Sequence, residues 1–459
     1  MIVRVFLSAA AGLATALVLQ QALAFPIEGV QTPLPVGTEL NDDALDQPRE
    51  EFHSEAIEGS KSYLVKLGNM AFNTPAILGG TALKGGISCG TCHVNGASNP
   101  KLFITGATIR PGSFDTTSSL FNPKAENSIL DPVRIPSLRG ARYLAPYGND
   151  GRTDSLRDFV RTVIVDEFAG PDPTPAVLDA LVAYIKDIDF LPNPRLGLGG
   201  KLTADASEAE RRGEVIFNKP FPRDAGLSCA GCHLPSGAFV DHRQHDVGSG
   251  GLYKTPTLLN ADFNAPYFHD ARFNTFDQVV SYFDRSFGLG FSAQDRADLV
   301  AYLKAIGDGA QPYESITSAI PLQDIFDFAS VLAAAIPAHD NDIISLAVTA
   351  VGGDLSDLRD RIPDQGDPGV SGGEKERDLA RKNLKEAVAM LERVGSNAAG
   401  GKYDDAAREY QNYNHFITVG VQPAVSNAER WSLFNPAVHD AHYAALRRQL
   451  ESNRKQSVK

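Results

Sequence analysis

The chain is poor in cysteine, in positive charge and in long apolar runs. Its 459 residues contain only 4 cysteines, and 43 Lys and Arg stand against 56 Asp and Glu, which gives a formal net charge of −13. An acidic chain of this kind is not suited to binding nucleic acid or a surface of anionic lipid, but it permits a basic protein partner. After residue 19 no stretch is apolar for long enough to span a bilayer.

The first residues have the pattern of a secretory signal peptide. Arg4 precedes an apolar run that ends at Leu19, and an A-x-A sequence of the kind that signal peptidase cleaves stands directly before Phe25. The run is short for a membrane span, so contact with a membrane is expected only if this leader stays uncleaved. We therefore expect export to the periplasm, outside the reducing cytosol.

All the cysteines lie in two copies of one motif, which ends in a histidine each time. The copies are Cys89-Gly-Thr-Cys92-His93 and Cys229-Ala-Gly-Cys232-His233. Cys-x-x-Cys-His is the attachment signature of c-type haem. The alternative is a pair of redox or disulfide Cys-x-x-Cys sites. Since histidine is 10 of 459 residues, its chance occurrence after both motifs is about one in 2000, at about 2% per position.

The spacing of the motif has a physical reason. On a helical turn, residues i, i+3 and i+4 share one face, so two thiols can reach the porphyrin while the imidazole reaches the iron. We predict two covalently bound haem c groups. The first is attached at Cys89 and Cys92 with His93 as axial ligand, and the second at Cys229 and Cys232 with His233 as axial ligand.

The segments after the two motifs repeat each other. The first reads RIPSLRGARYLAPYGNDGR and the second reads KTPTLLNADFNAPYFHDAR, and the interval from Pro136 to Arg152 equals that from Pro256 to Arg272. Apolar residues at spacings of three and four around both copies predict helices. We therefore expect a mainly α protein with two tandem cytochrome c-like haem domains and a C-terminal helical extension.

This organisation predicts five segments along the chain. They are a signal peptide (1–24), an N-terminal extension (25–59), a first cytochrome c-like haem domain (60–199), a second one (200–309) and a C-terminal helical region (310–459). The last segment has no cysteine and shows strong helical periodicity. Its role is left open by the sequence.

These motifs resemble those of the bacterial di-haem cytochrome c peroxidase and MauG superfamily. The order of the two lobes, LSCAGCH, TPTLLN, APYFHDAR and ADLVAYLKAI carry the resemblance, which covers about residues 62–309. It implies an oxidoreductase whose first haem meets peroxide or another oxidant, while the second relays electrons from a small redox donor protein or a protein substrate. The alternative is a non-catalytic di-haem cytochrome that only transfers electrons.

The chain departs from this family beside the first haem. Peroxidases of the family place a glutamine and a glutamate there, and the aligned positions hold Tyr147 and Arg157. Tyr147 can donate a hydrogen bond and Arg157 can stabilise negative oxygen, so both are candidate catalytic residues. For Arg157 the alternative is a solvated helix residue.

The chain also departs from the family beside the second haem. Where the family supplies a methionine, or a tyrosine in MauG, this chain has Phe283, which cannot bind iron, so Tyr282 is the candidate sixth ligand. Alternative ligands in the same lobe are His242, His245 and His269. The single tryptophan, Trp431, lies outside both lobes, which argues against a tryptophan relay between the haems.

Two arginines at equivalent positions are candidate propionate-binding residues. Arg152 and Arg272 each follow an aspartate by two residues. A guanidinium can bind a haem propionate through two hydrogen bonds. A buried pair with the neighbouring aspartate explains each arginine equally well.

A calcium ion often lies between the lobes of this family, held by an asparagine side chain and backbone carbonyls. Asn122, Asn264 and Pro266 occupy the matching places, so they are candidate calcium ligands. Asn264 replaces a threonine of the family. The alternative is that both asparagines cap turns.

The haem prediction is tested by the mass of the exported protein. We expect the intact mass to exceed that of the mature polypeptide by two haem groups, because thioether bonds survive denaturation. Mass spectrometry under denaturing conditions measures this excess directly. A colourless protein with the mass of the bare chain would contradict every site above.

Overall fold

The computed structural model describes residues 34–40, 51–54, 61–309 and 317–457. These residues are mainly helical, with short two-residue strands, and the expected mainly α class is confirmed. The predicted signal peptide and most of the predicted N-terminal extension lie outside the described residues. None of the described helices combines the length and the apolar character that crossing a bilayer requires.

The helices fall into three groups along the chain. The first group is α1 (Tyr63–Asn73), α2 (Gly80–Gly85), α3 (Cys89–Cys92), α4 (Leu156–Thr162) and α5 (Pro175–Asp187). The second group is α6 (Glu208–Asn218), α7 (Cys229–Cys232), α8 (Phe276–Phe287) and α9 (Ala293–Gly307). The third group is α10 (Ala319–Ser330), α11 (Leu332–Ala335), α12 (Asn341–Asp360), α13 (Glu374–Ala399), α14 (Tyr403–Phe416), α15 (Gln422–Ala428) and α16 (Pro436–Ser457).

Local sequence sets where the helices of the second group begin. Three of them start with a capping box, in which a Ser or Thr side chain accepts from a backbone N–H three residues on, and the side chain there returns the bond. The pairs are Ser207 with Glu210, Thr275 with Gln278, and Ser292 with Asp295. Each box satisfies two backbone donors that the helix itself leaves without partners.

The first two groups repeat one helix crossing. In the first, α1 packs on α5 and Gly68 lies against the backbone of Ala180 and the side chain of Tyr184. In the second, α6 packs on α9 and Gly213 lies in the same way against Asp298 and Tyr302. Glycine lets the two helix backbones approach closely, because a Cβ at either position would overlap the partner helix.

Two short antiparallel strand pairs lie in the loops that follow the motifs. β1 (Ser113–Phe114) pairs with β2 (Val133–Arg134), and β3 (Gln244–His245) pairs with β4 (Tyr253–Lys254). The strands β2 and β4 occupy equivalent places in the two repeats. Each of them ends at the first residue of the repeated segment, two residues before its proline.

The C-terminal helices share a hydrophobic core with the first group. One buried cluster runs from residues of α1 and α5 into α10, α12 and α13, whereas the second group has a separate cluster of its own. Lys66 of α1 also forms an ion pair with Asp327 of α10 at 3.0 Å. The C-terminal region is therefore packed on the first lobe.

A described part of the N-terminal extension docks on the end of α5. The buried His53 contacts Asp187 through Nδ1 at 2.8 Å and Glu51 through Nε2 at 2.6 Å. Desolvation lowers the pKa of His53, but the hydrogen bonds to the two carboxylates outweigh it and raise the pKa. The tyrosine of the helix crossing, Tyr184, donates its hydroxyl to Glu51. The extension thus forms a buried polar network on the first lobe.

The glycine crossing gives a test of the packing. Replacing Gly68 with alanine would place a Cβ 2.0 Å from the Ala180 carbonyl oxygen, so we expect a loss of about 1–3 kcal/mol in the free energy of unfolding. The matched control is Gly353→Ala, at a helical glycine with open space around it, where alanine should stabilise by about 0.5–1 kcal/mol. Denaturant unfolding measures both, and equal effects would contradict the crossing.

Candidate haem sites

The first Cys-x-x-Cys-His motif forms one capped helical turn. Ser88 accepts the backbone N–H of Thr91 at 3.3 Å and donates its own backbone N–H to the Thr91 hydroxyl at 3.1 Å. This capping box holds α3, so Cys89 and Cys92 stand at the two ends of a single turn. Both thiols are free, and burial raises the pKa of each to about 12. They are therefore protonated thiols, not the reactive thiolates of a redox pair.

The histidine of this motif is held in one tautomer. Its Nδ1 donates to the carbonyl oxygen of Pro136 at 2.9 Å, which leaves the lone pair of Nε2 free to bind a metal. Desolvation lowers the pKa of His93 to about 4. The imidazole is therefore neutral at physiological pH, as an iron ligand must be.

The second motif has the same form with a weaker cap. Ser228 accepts the backbone N–H of Gly231 at 2.9 Å, but Gly231 has no hydroxyl to return the bond. Nδ1 of His233 donates to the carbonyl of Phe239 at 3.2 Å, and desolvation lowers the pKa of His233. Burial raises the pKa of Cys229 to about 12. This site therefore also presents two ordinary thiols and a neutral imidazole.

A cavity with a mostly apolar wall lies beside the first motif. Both thiols and His93 line one side of it, and side chains such as Leu138 and Phe159 form much of the rest. An apolar wall with two thiols and one imidazole is what haem c requires, because the porphyrin is apolar, its vinyl groups take the thiols and its iron takes the imidazole. The residues present therefore fit this cofactor.

The second motif lies beside a small polar cluster. Cys232 lies with Asp241 and His245 so that their ligand atoms are all within 4.8 Å of one another. Nε2 of His245 contacts the Asp241 carboxylate at 2.6 Å. One member of this cluster is the candidate attachment thiol itself, so the cluster belongs to the candidate haem site.

The structure separates the two candidate catalytic residues. Tyr147 lines the first cavity, and its hydroxyl donates to the Ala141 carbonyl at 3.2 Å. Its repeat equivalent, Tyr267, makes the same bond to Ala261 at 3.1 Å. Arg157 does not line the cavity in the described residues, and it forms an ion pair with Asp179 at 2.6 Å on the surface. Their catalytic roles stay predictions.

The candidate sixth ligand of the second haem lies in an aromatic cluster. The Tyr282 hydroxyl donates to the Val247 carbonyl at 2.8 Å, and its ring contacts those of Phe268 and Phe273. The other candidates are also hydrogen bonded. His269 contacts the Ser249 carbonyl through Nε2 at 3.0 Å and stacks on a tyrosine. Ligation by either residue stays a prediction.

The two candidate propionate arginines both pair with the preceding aspartate. Arg152 contacts Asp150 at 3.0 Å and also Glu167 at 2.9 Å, while Arg272 contacts Asp270 at 2.7 Å. The sequence left this aspartate pairing open beside propionate binding. Burial raises the pKa of Glu167 to about 7, which the Arg152 charge opposes.

The candidate calcium ligands differ in how their oxygens are used. The Asn122 side chain donates to the Asp166 carbonyl at 2.5 Å and accepts the backbone N–H of Lys124 at 3.0 Å, as a turn-capping asparagine does. The Oδ1 atom of Asn264 is buried with no hydrogen-bond partner among the described residues, and Pro266 follows a cis peptide bond. Calcium binding stays a prediction.

The second lobe contributes side chains to the first cavity that the sequence did not indicate. His242 lines the cavity and donates Nδ1 to the Ala145 carbonyl at 2.7 Å, although the sequence suggested it for the second haem. Lys254 of the second lobe lines the same cavity, as does Arg134 of the first lobe. The sequence did contain a signal for these two cations, because Arg134 and Lys254 occupy the same position in the two repeats.

Comparison with known proteins gives consistent relatives. The family described as di-haem cytochrome c peroxidase matches residues 211–345. Hydrazine synthase subunit gamma of Kuenenia stuttgartiensis is 27% identical over 54% of this chain and 78% of its own. Methylamine utilization protein MauG of Methylorubrum extorquens is 24% identical over 53% of this chain and 77% of its own. A solved structure of Kuenenia stuttgartiensis hydrazine synthase matches with a TM-score of 0.38 and 22% identity, covering 66% of this chain and 100% of that one.

The axial histidines can be tested one at a time. We expect His93→Gly to keep thioether-bound haem but to lose the imidazole signature of the first site, and added imidazole to restore it by filling the vacated place. His233→Gly should do the same at the second site. Absorbance and electron paramagnetic resonance measure both changes. The control is His439→Gly, an exposed position, and a spectrum unchanged in the first two variants would contradict the assignment.

Proposed function

Because the chain belongs to the superfamily of di-haem cytochrome c peroxidases and MauG, we propose that it is an exported di-haem oxidoreductase that reacts with peroxide at its first haem. The observation that carries the proposal is the repeated capped turn, in which two protonated thiols stand beside a neutral imidazole with a free Nε2. Both turns lie in lobes with the same helix crossing.

Each residue of the first site has a separate role in holding and tuning the haem. When bound, haem c supplies a redox-active iron and a conjugated ring that conducts electrons. The thiols of Cys89 and Cys92 fix the orientation of the group. The Pro136 carbonyl orients His93 and increases the basicity of its ring, which would make the imidazole a stronger electron donor to the iron of a bound haem.

We assign proton transfer at the first site to His242. Peroxide reduction needs a group that moves a proton between the two oxygens, and the glutamine and glutamate of the family are missing here. Among the titratable side chains that line the cavity, His242 has one nitrogen fixed by the Ala145 carbonyl, so that the other can accept a proton. The Tyr147 hydroxyl already donates its proton to a backbone carbonyl.

The second haem is proposed as the point of electron entry. Its attachment turn is the more open of the two, since Gly231 is exposed where its equivalent Thr91 is buried, and its cap is weaker. A formal net charge of −13 suits a donor protein with a basic face, whose approach would be accelerated at low salt. The periplasm is the proposed compartment, as the N-terminal pattern suggests.

The proposed function is tested by adding peroxide to the oxidised protein. We expect a high-spin iron signal in electron paramagnetic resonance and its rapid loss when hydrogen peroxide is added. His242→Ala should lower the rate constant of this reaction by about 100-fold or more, which is the usual contribution of a general acid–base residue. Stopped-flow absorbance measures the rate.

Matched variants separate catalysis from packing in this test. His439→Ala removes an exposed histidine far along the chain and should leave the rate unchanged. Tyr147→Phe and Tyr267→Phe remove equivalent backbone hydrogen bonds, so a slower reaction in the first alone would assign a catalytic role to Tyr147. Two low-spin haems that ignore peroxide would instead favour the electron-transfer cytochrome.

A further inference from the structure

The two lobes exchange cationic side chains across their junction. From the second lobe, Lys254 donates its backbone N–H to the Asn149 carbonyl at 2.9 Å, and its Nζ donates to the carbonyls of Leu144 at 2.8 Å and Pro146 at 2.6 Å. All three acceptors lie in the repeated segment of the first lobe. Lys254 thus reaches out of its own repeat into the loop that carries Tyr147.

Arg134 makes the reciprocal contacts from the first lobe. Its backbone N–H donates to the His269 carbonyl at 2.6 Å, and its Nη1 donates to the Asn264 carbonyl at 3.2 Å. These acceptors are the repeat equivalents of those that Lys254 uses for its backbone and for its side chain. The junction therefore has an approximate twofold symmetry, because each lobe extends one cationic side chain into the other.

Neither cation has a carboxylate partner among the described residues. Desolvation lowers the pKa of Arg134 to about 10 and that of Lys254 to about 8, where the charge of Asp150 opposes it. Each is therefore a partly buried charge whose nearest partners are backbone carbonyls. Other arginines of this acidic chain, such as Arg212 with Asp298 at 2.7 Å, do have carboxylates. A partly buried cation that no carboxylate contacts directly is costly, which indicates that an anion belongs here.

The residues that line the cavity indicate which anion fits there. Arg134 and Lys254 line the same cavity as the two thiols and His93, and no Asp or Glu of the described residues lines it. Haem c carries two propionate carboxylates, and each needs hydrogen-bond donors or a cation when it is removed from water. The two unpaired cations thus match the two charges of the cofactor in number and in sign.

We propose that Arg134 and Lys254 bind the propionates of the first haem, so that the second lobe forms part of the first haem site and raises its reduction potential. The inference rests on the haem attachment of the proposed function. A positive charge close to the iron favours the reduced state, which carries one positive charge less. It assigns propionate binding to this pair, whereas Arg152 and Arg272 already have carboxylate partners.

The experiment is a redox titration of the purified di-haem protein, followed by absorbance and electron paramagnetic resonance so that each haem reports separately. In Lys254→Met we expect the reduced-to-oxidised ratio of the first haem at a fixed potential to fall about tenfold, which is a shift of about 59 mV for one electron. Lys254→Arg keeps the charge and should restore the parent value.

A surface control and a second variant complete the design. Lys84→Met removes an exposed lysine of the first lobe and should shift neither haem. Arg134→Gln should shift the first haem in the same direction, and it decides the question if Lys254→Met does not fold. A ratio within twofold of the parent, or an equal shift in Lys84→Met, would overturn the proposal. A reduced-to-oxidised ratio in Lys254→Arg as low as that in Lys254→Met would overturn it as well.

The titration also separates this inference from the proposed function. A parent protein that holds both haems but ignores peroxide overturns only the peroxide chemistry, because the effect of Lys254 on the potential is still measured. A parent protein without haem overturns both. If the parent protein holds both haems and reacts with peroxide, but the variants leave the potential of the first haem unchanged, only the role of the two cations is overturned.

Discussion

The hydrogen bond from Nδ1 of each motif histidine to a backbone carbonyl is the constraint on which both sites depend. It fixes the tautomer and leaves Nε2 free to bind a metal. Burial keeps the imidazole neutral, because desolvation lowers the pKa of His93 to about 4 although the hydrogen bond opposes this shift. The acceptor for His93 is Pro136, the third residue of the repeated segment. The loop that forms the far wall of the cavity is therefore tied to the ligand itself.

The two sites share this plan but differ in enclosure. The first motif has a complete capping box and faces an apolar cavity to which both lobes contribute, whereas the second has an exposed glycine in place of the buried Thr91. An enclosed iron is protected from water and from large molecules, and an open haem edge suits contact with another protein. This asymmetry supports different tasks for two motifs that look alike.

Much of the fold and part of the site could be predicted from the sequence. The Cys-x-x-Cys-His spacing predicts the helical turn that is found, and the spacing of apolar residues predicts the helices, because both are local properties of the chain. The position of Lys254 could not be predicted, since it depends on how one lobe docks on the other. The surface position of Arg157 was left open for the same kind of reason, as the direction of a helix face depends on its neighbours.

The core that the C-terminal helices share with α1 makes the two repeats unequal partners. In the second lobe the helix α6 meets α9 and has a small core of its own, but α1 is enclosed by α5 on one side and by α10 and α12 on another. A gene duplication that copied the first lobe alone would expose to water the apolar side of α1 that packs against α10 and α12. The second lobe could therefore be exchanged between relatives as a unit. The first lobe could be exchanged only together with the C-terminal helices that complete its core.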